Sequence, residues 1–154
     1  VRDGEAIAGL ICDLVSDRRW TARRGGGAKR DGVPIRTQVE GRPRSGLVAA
    51  PSPAPGSPEL RVPPGLARLR ISGSSALDLV RVADGSLAAF VCADRPVAHV
   101  HDIAAALAIL TEAGGIAGDP QGLPLRLEPD PEPVIAFIAA SDPETLRSLL
   151  GLTV

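Results

Sequence analysis

Ile103 to Leu110 constrains the fold more than any other stretch: eight consecutive residues without a polar side chain. The run continues through Thr111, Glu112 and Ala113 with no Gly, Pro or Asn, and its Ala and Leu favour a helix. It is apolar on nearly every face, so the helix must be buried rather than amphipathic. Asp102 stands where the helix should begin, as a favoured N-cap with its carboxylate at the positive end of the dipole. Gly114 and Gly115 supply a left-handed stop. One carboxylate is therefore held at the mouth of a buried helix. That position suits a plain cap and also a metal ligand.

A chain of 154 residues suits one domain with a real core. Aromatic residues are only 2% of it, so Leu, Val, Ile and Ala must fill that core. The net charge of -1 gives no general pull toward nucleic acid or membrane. The charge is uneven, with nine Lys and Arg between Arg18 and Arg44 and an acidic stretch from Glu128 to Glu144. Two cysteines, Cys12 and Cys92, make no disulfide framework and read as buried thiols in a reducing cytosol. The longest apolar run is too short to span a bilayer, and no signal peptide is evident. The chain has no Met and opens on Val1, which fits a piece of a longer polypeptide or processing of its start.

Hairpin signals dominate the opening. Ala6 to Val15 and Trp20 to Arg24 read as strands around Ser16-Asp17, and Asp31-Gly32 reads as a tight turn between Ala28 to Arg30 and Val33 to Arg36. Gly46 to Ala50 is a further strand. Six prolines between Pro51 and Pro64 forbid an ordinary helix there. Thereafter strands at Leu69 to Ser72, Ala88 to Ala93, Ile116 to Gly118, Leu123 to Leu127 and Val134 to Ala140 alternate with helices. These helices are one capped by Ser74 or Ser75 and running to Ala83, the Asp102 helix, and a last one opened by a capping box from Ser141 to Glu144. The expected fold is α/β: residues 1–44 form antiparallel strands that belong to a central sheet whose other strands lie in a missing N-terminal part, and 45–154 a mostly parallel sheet with helices.

Several clusters invite chemistry. Arg24 to Lys29 holds three glycines but lacks the Gly-Lys-Ser/Thr ending and leads into no helix, so it reads as a bulged hairpin rather than a phosphate loop. The basic stretch has no interleaved aromatics for stacking nucleic-acid bases. On an extended segment His99 and His101 point to one side, and with Asp102 they offer a transition-metal set or simply a polar loop. Gly73, Ser74 and Ser75 lie between a strand and a helix N-terminus, as an anion or hydroxyl site or as an ordinary cap.

Four stretches together resemble the inositol monophosphatase family of magnesium-dependent phosphatases. Ala8 to Ala28 with Asp31-Gly32 is similar to the family's central hairpin. Gly73 to Phe90 resembles its Gly-Ser-Ala-Ala-Leu-Asp-Leu block. Asp102-Ile103-Ala104-Ala105 with Glu112-Ala113-Gly114-Gly115 resembles its Asp-x-Ala-Ala-Gly and Glu-Ala-Gly-Gly signature, and Val134 to Ala140 its late strand. The resemblance implies that Asp102 is a Mg2+ ligand and that Gly73, Ser74 and Ser75 face substrate. The substrate would be a small phosphorylated polyol or sugar. It implies a phosphate monoester hydrolase that is cytoplasmic and dimeric at full length, with no nucleic-acid or membrane partner.

The chain also departs from the family pattern. The upstream Glu-Glu pair and Asp-Pro-Ile-Asp-Gly-Thr are not in it, so no catalytic residue is assigned and the 154-residue chain alone is expected to be inactive. His101 replaces the Trp before the signature Asp, and Ala106 replaces its closing Gly. Cys92 stands where many members carry a substrate-contacting acid, with Asp94 nearby as a substitute. The loop from Cys92 to Asp102 is more like that of the fructose-bisphosphatase branch. A fructose-1,6-bisphosphatase-like member, a nucleotide 3′-phosphatase-like member and a non-catalytic remnant are the alternatives.

Overall fold

The computed structural model describes residues 1–38, 47–50, 68–93, 98–128 and 134–150. The opening meander is β1 (Ala8–Asp13), β2 (Arg18–Arg23), β3 (Ala28–Arg30) and β4 (Val33–Ile35), paired antiparallel in that order. Its turns follow their local chemistry. Asp31 and Gly32 both take positive φ, 53° and 81°, as a two-residue primed hairpin turn requires. Between β1 and β2, the Asp13 carboxylate accepts from the Val15 amide at 3.0 Å and the Ser16 hydroxyl at 2.7 Å.

The second part comprises β5 (Leu47–Ala49), β6 (Arg68–Arg70), α1 (Ser75–Ala83), β7 (Ala89–Cys92), β8 (Ala98–His99), α2 (Val100–Glu112), β9 (Ile116–Gly118), β10 (Val134–Ile135), β11 (Phe137–Ala140) and α3 (Pro143–Leu150). Five strands form one sheet in the order β6-β5-β7-β11-β9. The α/β class is as expected, but the sheet is mixed. β5 runs parallel to β6 and β7, whereas β11 runs antiparallel to β7 and β9. The strand that would extend the parallel set is reached by a crossover through α2, and β11 then inserts between β7 and β9 in the opposite sense.

The layers explain the helix compositions. α2 packs against α1 on one side and against β1, β2 and β3 on another. Ile103, Ala106, Leu107, Ala108, Ile109 and Leu110 are consequently all buried, as the apolar run demands. The chain can come this close because β1 carries Gly9, where an added Cβ would lie 2.0 Å from the Ala105 carbonyl oxygen. One face of the five-stranded sheet contributes Ala49, Phe90, Cys92, Phe137 and Ala139 to the core with α1 and α2. The opposite face sends Val48, Ala89, Val91, Ile138 and Ala140 against Leu146 and Leu149 of α3. Both faces of β7 and β11 are covered, which is why those strands are apolar without alternation.

Boundaries differ from the sequence reading at four places. α2 begins at Val100, not Asp102: His99 is the extended N-cap, with φ -85° and ψ 152°, and Asp102 sits at the third helical position, where its carboxylate accepts from the His99 amide at 3.4 Å. An acid there still complements the dipole. Val134 to Ala140 is not one strand. Val134 and Ile135 pair with β8, and Phe137 onward with β7, because β7 ends at Cys92 and its partner edge passes to Ala98 and His99. Leu123 to Leu127 forms only an isolated bridge, Gly118 to Pro124, since Asp119 closes a tight turn by accepting from the Gln121 and Leu123 amides. The cap of α3 is Asp142, which accepts from the Thr145 amide at 2.9 Å, so Glu144 is not its third residue.

Candidate active site at the carboxyl edge of the parallel strands

Connectivity places two helix N-termini at one edge. α1 starts just past the carboxyl end of β6 and leads back to the start of β7. α2 starts beyond the carboxyl end of β7 and leads back to β9, which runs in the same sense as β7. Both helices therefore point their N-termini toward the carboxyl edge of β6, β5 and β7. The chain passes from central β5 to β6 on one side and returns to β7 on the other. In α/β proteins the carboxyl ends of strands beside such a switch in strand order are where ligands bind.

Gly73, Ser74 and Ser75 form the first N-terminus. Gly73 takes φ +88°, a left-handed conformation that turns the chain into the helix. Ser74 is the N-cap, and its hydroxyl oxygen accepts from the Leu77 amide at 3.3 Å. Ser72 braces the loop by accepting from the Ser74 amide at 3.3 Å.

Asp102 marks the second N-terminus. Its side chain is 51% exposed, and the imidazole of His101 lies 3.6 Å away. His99 and His101 stack with ring centroids 5.1 Å apart, so the two rings lie side by side rather than converging on one ion. Among the described residues no group of three or more His, Cys, Asp or Glu side chains could hold a metal. Asp102 supplies one hard oxygen donor, and the described residues do not complete a magnesium site around it. Cys92 is 3% exposed and turned into the core, which removes it as a ligand-facing group. Asp94 lies outside the described residues. Cys12, expected to be buried, is exposed on the outer face of β1.

Two carboxylates without an assigned role turn out to lock the meander onto the helices. Glu112 accepts from the amides of Gly25 and Gly27 at 2.9 and 2.8 Å, so the glycine loop grips a carboxylate of its own chain instead of a phosphate. The sequence did carry a signal: an acid in the last turn of a helix opposes the dipole, and something must compensate it. Asp84 accepts from Trp20 Nε1 at 3.3 Å and Arg30 Nη1 at 2.9 Å.

The family model described as Inositol monophosphatase family matches residues 1–151. The chain belongs to the inositol monophosphatase family. It is 34% identical over 135 residues to the probable inositol 1-monophosphatase ImpA of Mycobacterium tuberculosis, covering 80% of this chain and 49% of that protein. A 75-residue stretch is 36% identical to the bifunctional NADP phosphatase/NAD kinase of Methanococcus maripaludis, covering 49% of this chain and 13% of that enzyme. Among solved structures, Pyrococcus horikoshii PH1897, a hypothetical protein with similarities to inositol-1 monophosphatase, superposes with a TM-score of 0.83 at 25% identity, over 95% of this chain and 56% of that one. The MJ0109 gene product, an inositol monophosphatase-fructose 1,6 bisphosphatase, gives 0.80 at 26%, over 95% and 57%. This inositol monophosphatase family chain thus spans about half the length of ImpA and of these two solved structures, and far less of the bifunctional enzyme. Among the described residues no helix is long and apolar enough to cross a membrane.

Proposed function

We infer that the chain is one part of a metal-dependent phosphate monoester hydrolase acting on a small phosphorylated polyol or sugar. The observation that carries this reading is the pair of helix N-termini at one carboxyl edge, one ending in a half-exposed carboxylate and the other in a serine-capped glycine turn. Helix N-termini favour anions, and their free amides suit a phosphate or a hydroxyl-rich ester. Asp102 would hold a magnesium ion together with oxygen donors from outside the described residues. A bound magnesium ion would lower the pKa of a water and offset charge on the leaving oxygen. The chain's own contribution is orientation. α2 is clamped at its far end by Glu112 and along its length by the core, so Asp102 is presented from a rigid element. Ser74 offers a hydroxyl donor from a second one.

The test is phosphate release from inositol phosphates, fructose 1,6-bisphosphate and NADP by the longest natural polypeptide containing this chain. Asp102→Asn is expected to lower kcat/KM at least about 100-fold while leaving the fold intact, a loss of about 2.7 kcal/mol in transition-state stabilisation. Full activity in that variant would refute the role of Asp102.

A further inference from the structure

His101 and Asp102 are neighbours in the first turn of α2, and both side chains are more than half exposed. His101 Nε2 lies 3.6 Å from Asp102 Oδ1. That is too long for a hydrogen bond, so the two atoms stand side by side without bonding each other. Among the described residues neither atom has another partner. One residue braces both side chains. The His99 amide donates to Asp102 Oδ2 at 3.4 Å, which orients the carboxylate and leaves Oδ1 as the oxygen beside His101. The His99 ring stacks on that of His101, with centroids 5.1 Å apart and planes 13° from parallel, which restrains the His101 ring. Donors oriented by a surrounding shell in this way suit metal ligation.

The spacing discriminates between ions. Magnesium demands octahedral geometry at about 2.1 Å, which sets adjacent ligand atoms about 3.0 Å apart. Tetrahedral zinc, with bonds of about 2.0–2.1 Å, sets them about 3.4 Å apart. The 3.6 Å between Nε2 and Oδ1 is close to the tetrahedral value and well beyond the octahedral one. Donor chemistry agrees, because imidazole nitrogen suits zinc while magnesium takes oxygen. His99 is not a third ligand. A ring stacked parallel on His101 directs its nitrogens alongside the same ion rather than toward it.

We propose that His101 Nε2 and Asp102 Oδ1 form a site for a tetrahedral d-block cation, zinc, which takes the Asp102 carboxylate in preference to magnesium. Zinc leaves two positions for water or phosphate oxygens. Its advantage comes from a nitrogen that magnesium does not use, so His101 sets the preference between the ions. On the reading of Asp102 as a magnesium ligand, the two ions compete for one carboxylate, and zinc inhibits the complete hydrolase.

Chelator-competition titration of zinc into the 154-residue chain, beside direct titration of magnesium, tests this. One zinc per chain is expected, bound at least about tenfold more tightly than magnesium. His101→Ala should weaken zinc at least about tenfold and leave magnesium within about twofold, whereas Asp102→Asn should weaken both. Cobalt(II), as a spectroscopic probe, should show the intense visible bands of a tetrahedral ion, without the near-ultraviolet charge-transfer band of a thiolate ligand. Cys12, exposed on β1, is then not involved, and Cys12→Ser should bind zinc unchanged. Excess magnesium should displace zinc. Zinc that depends on His101 yet resists magnesium would uphold the zinc pair and refute the magnesium role of Asp102. Zinc no tighter than magnesium, zinc indifferent to His101→Ala, weak octahedral cobalt bands, or zinc lost in Cys12→Ser would overturn the proposal.

Discussion

Gly9 and Ala105 are in backbone contact: the space above the Gly9 Cα is filled by the Ala105 carbonyl, 2.0 Å from where a Cβ would stand. This contact sets the distance between the meander and the buried helix that carries Asp102. Both partners lie in regular structure, so neither yields cheaply. Gly9→Ala is expected to destabilise the chain by about 3 kcal/mol, at the upper end for overpacked cores. Chemical denaturation measures it, and a loss below about 0.5 kcal/mol would show that the layers are not in contact there.

The Glu112 clamp makes a second prediction. Its carboxylate holds two loop amides at a partly exposed site, so Glu112→Ala should cost about 1–2 kcal/mol and release the loop. Amide exchange at Gly25 and Gly27 is the direct readout. It should accelerate at least tenfold, while exchange at Ile109 and Leu110 changes only with global stability.

Asp84 is the third. Its side chain is 3% exposed and satisfies both Trp20 and Arg30, whose own side chain is 40% exposed. Asp84→Ala leaves the indole N–H without its acceptor and should cost about 2 kcal/mol. A Trp20 fluorescence spectrum unchanged in the native state would argue that the indole does not depend on this carboxylate.

Asp13 gives a pH prediction. The Ser16 hydroxyl and then the Val15 amide hold its carboxyl below the ordinary aspartate range, and Arg81 adds to this. A depressed folded pKa means that the contribution to stability is present above the unfolded value and is lost as pH falls through the folded one. Carboxyl NMR should find Asp13 titrating below model aspartate, and Ser16→Ala should move it upward.

Much of this was legible locally. The buried α2, its Gly114-Gly115 stop and the Asp31-Gly32 turn follow from short-range chemistry. The structure shows the stop in full, with Gly115 bonded to the Leu110 carbonyl and Gly114 to that of Thr111. The helix start was misplaced because an Asp is a good N-cap and also a good third residue, and only the extended backbone of His99 decides between them. The exposure of Cys12 was hidden too. Alternation along β1 puts it opposite Ile11, but which face meets α2 is settled by Gly9, a residue that reads as neutral in a strand. The clustering of both helix N-termini at one edge was implied only by the family resemblance and not by local residue chemistry, because it depends on strand order.

The central claim is that Asp102 and the Gly73 to Ser75 turn face one ligand crevice. The most direct measurement is a magnesium titration of the 154-residue chain, followed residue by residue in amide NMR spectra, with and without inorganic phosphate. The account predicts weak, millimolar binding, because one carboxylate leaves the ion most of its waters. Shifts should be confined to residues 73–75 and 99–103 and be lost in Asp102→Asn, whose stability should stay within about 1 kcal/mol because Asn keeps a side-chain oxygen to accept from the His99 amide and loses only a charge–dipole contribution of about that size. Shifts centred elsewhere, or shifts that persist unchanged in Asp102→Asn, would contradict it.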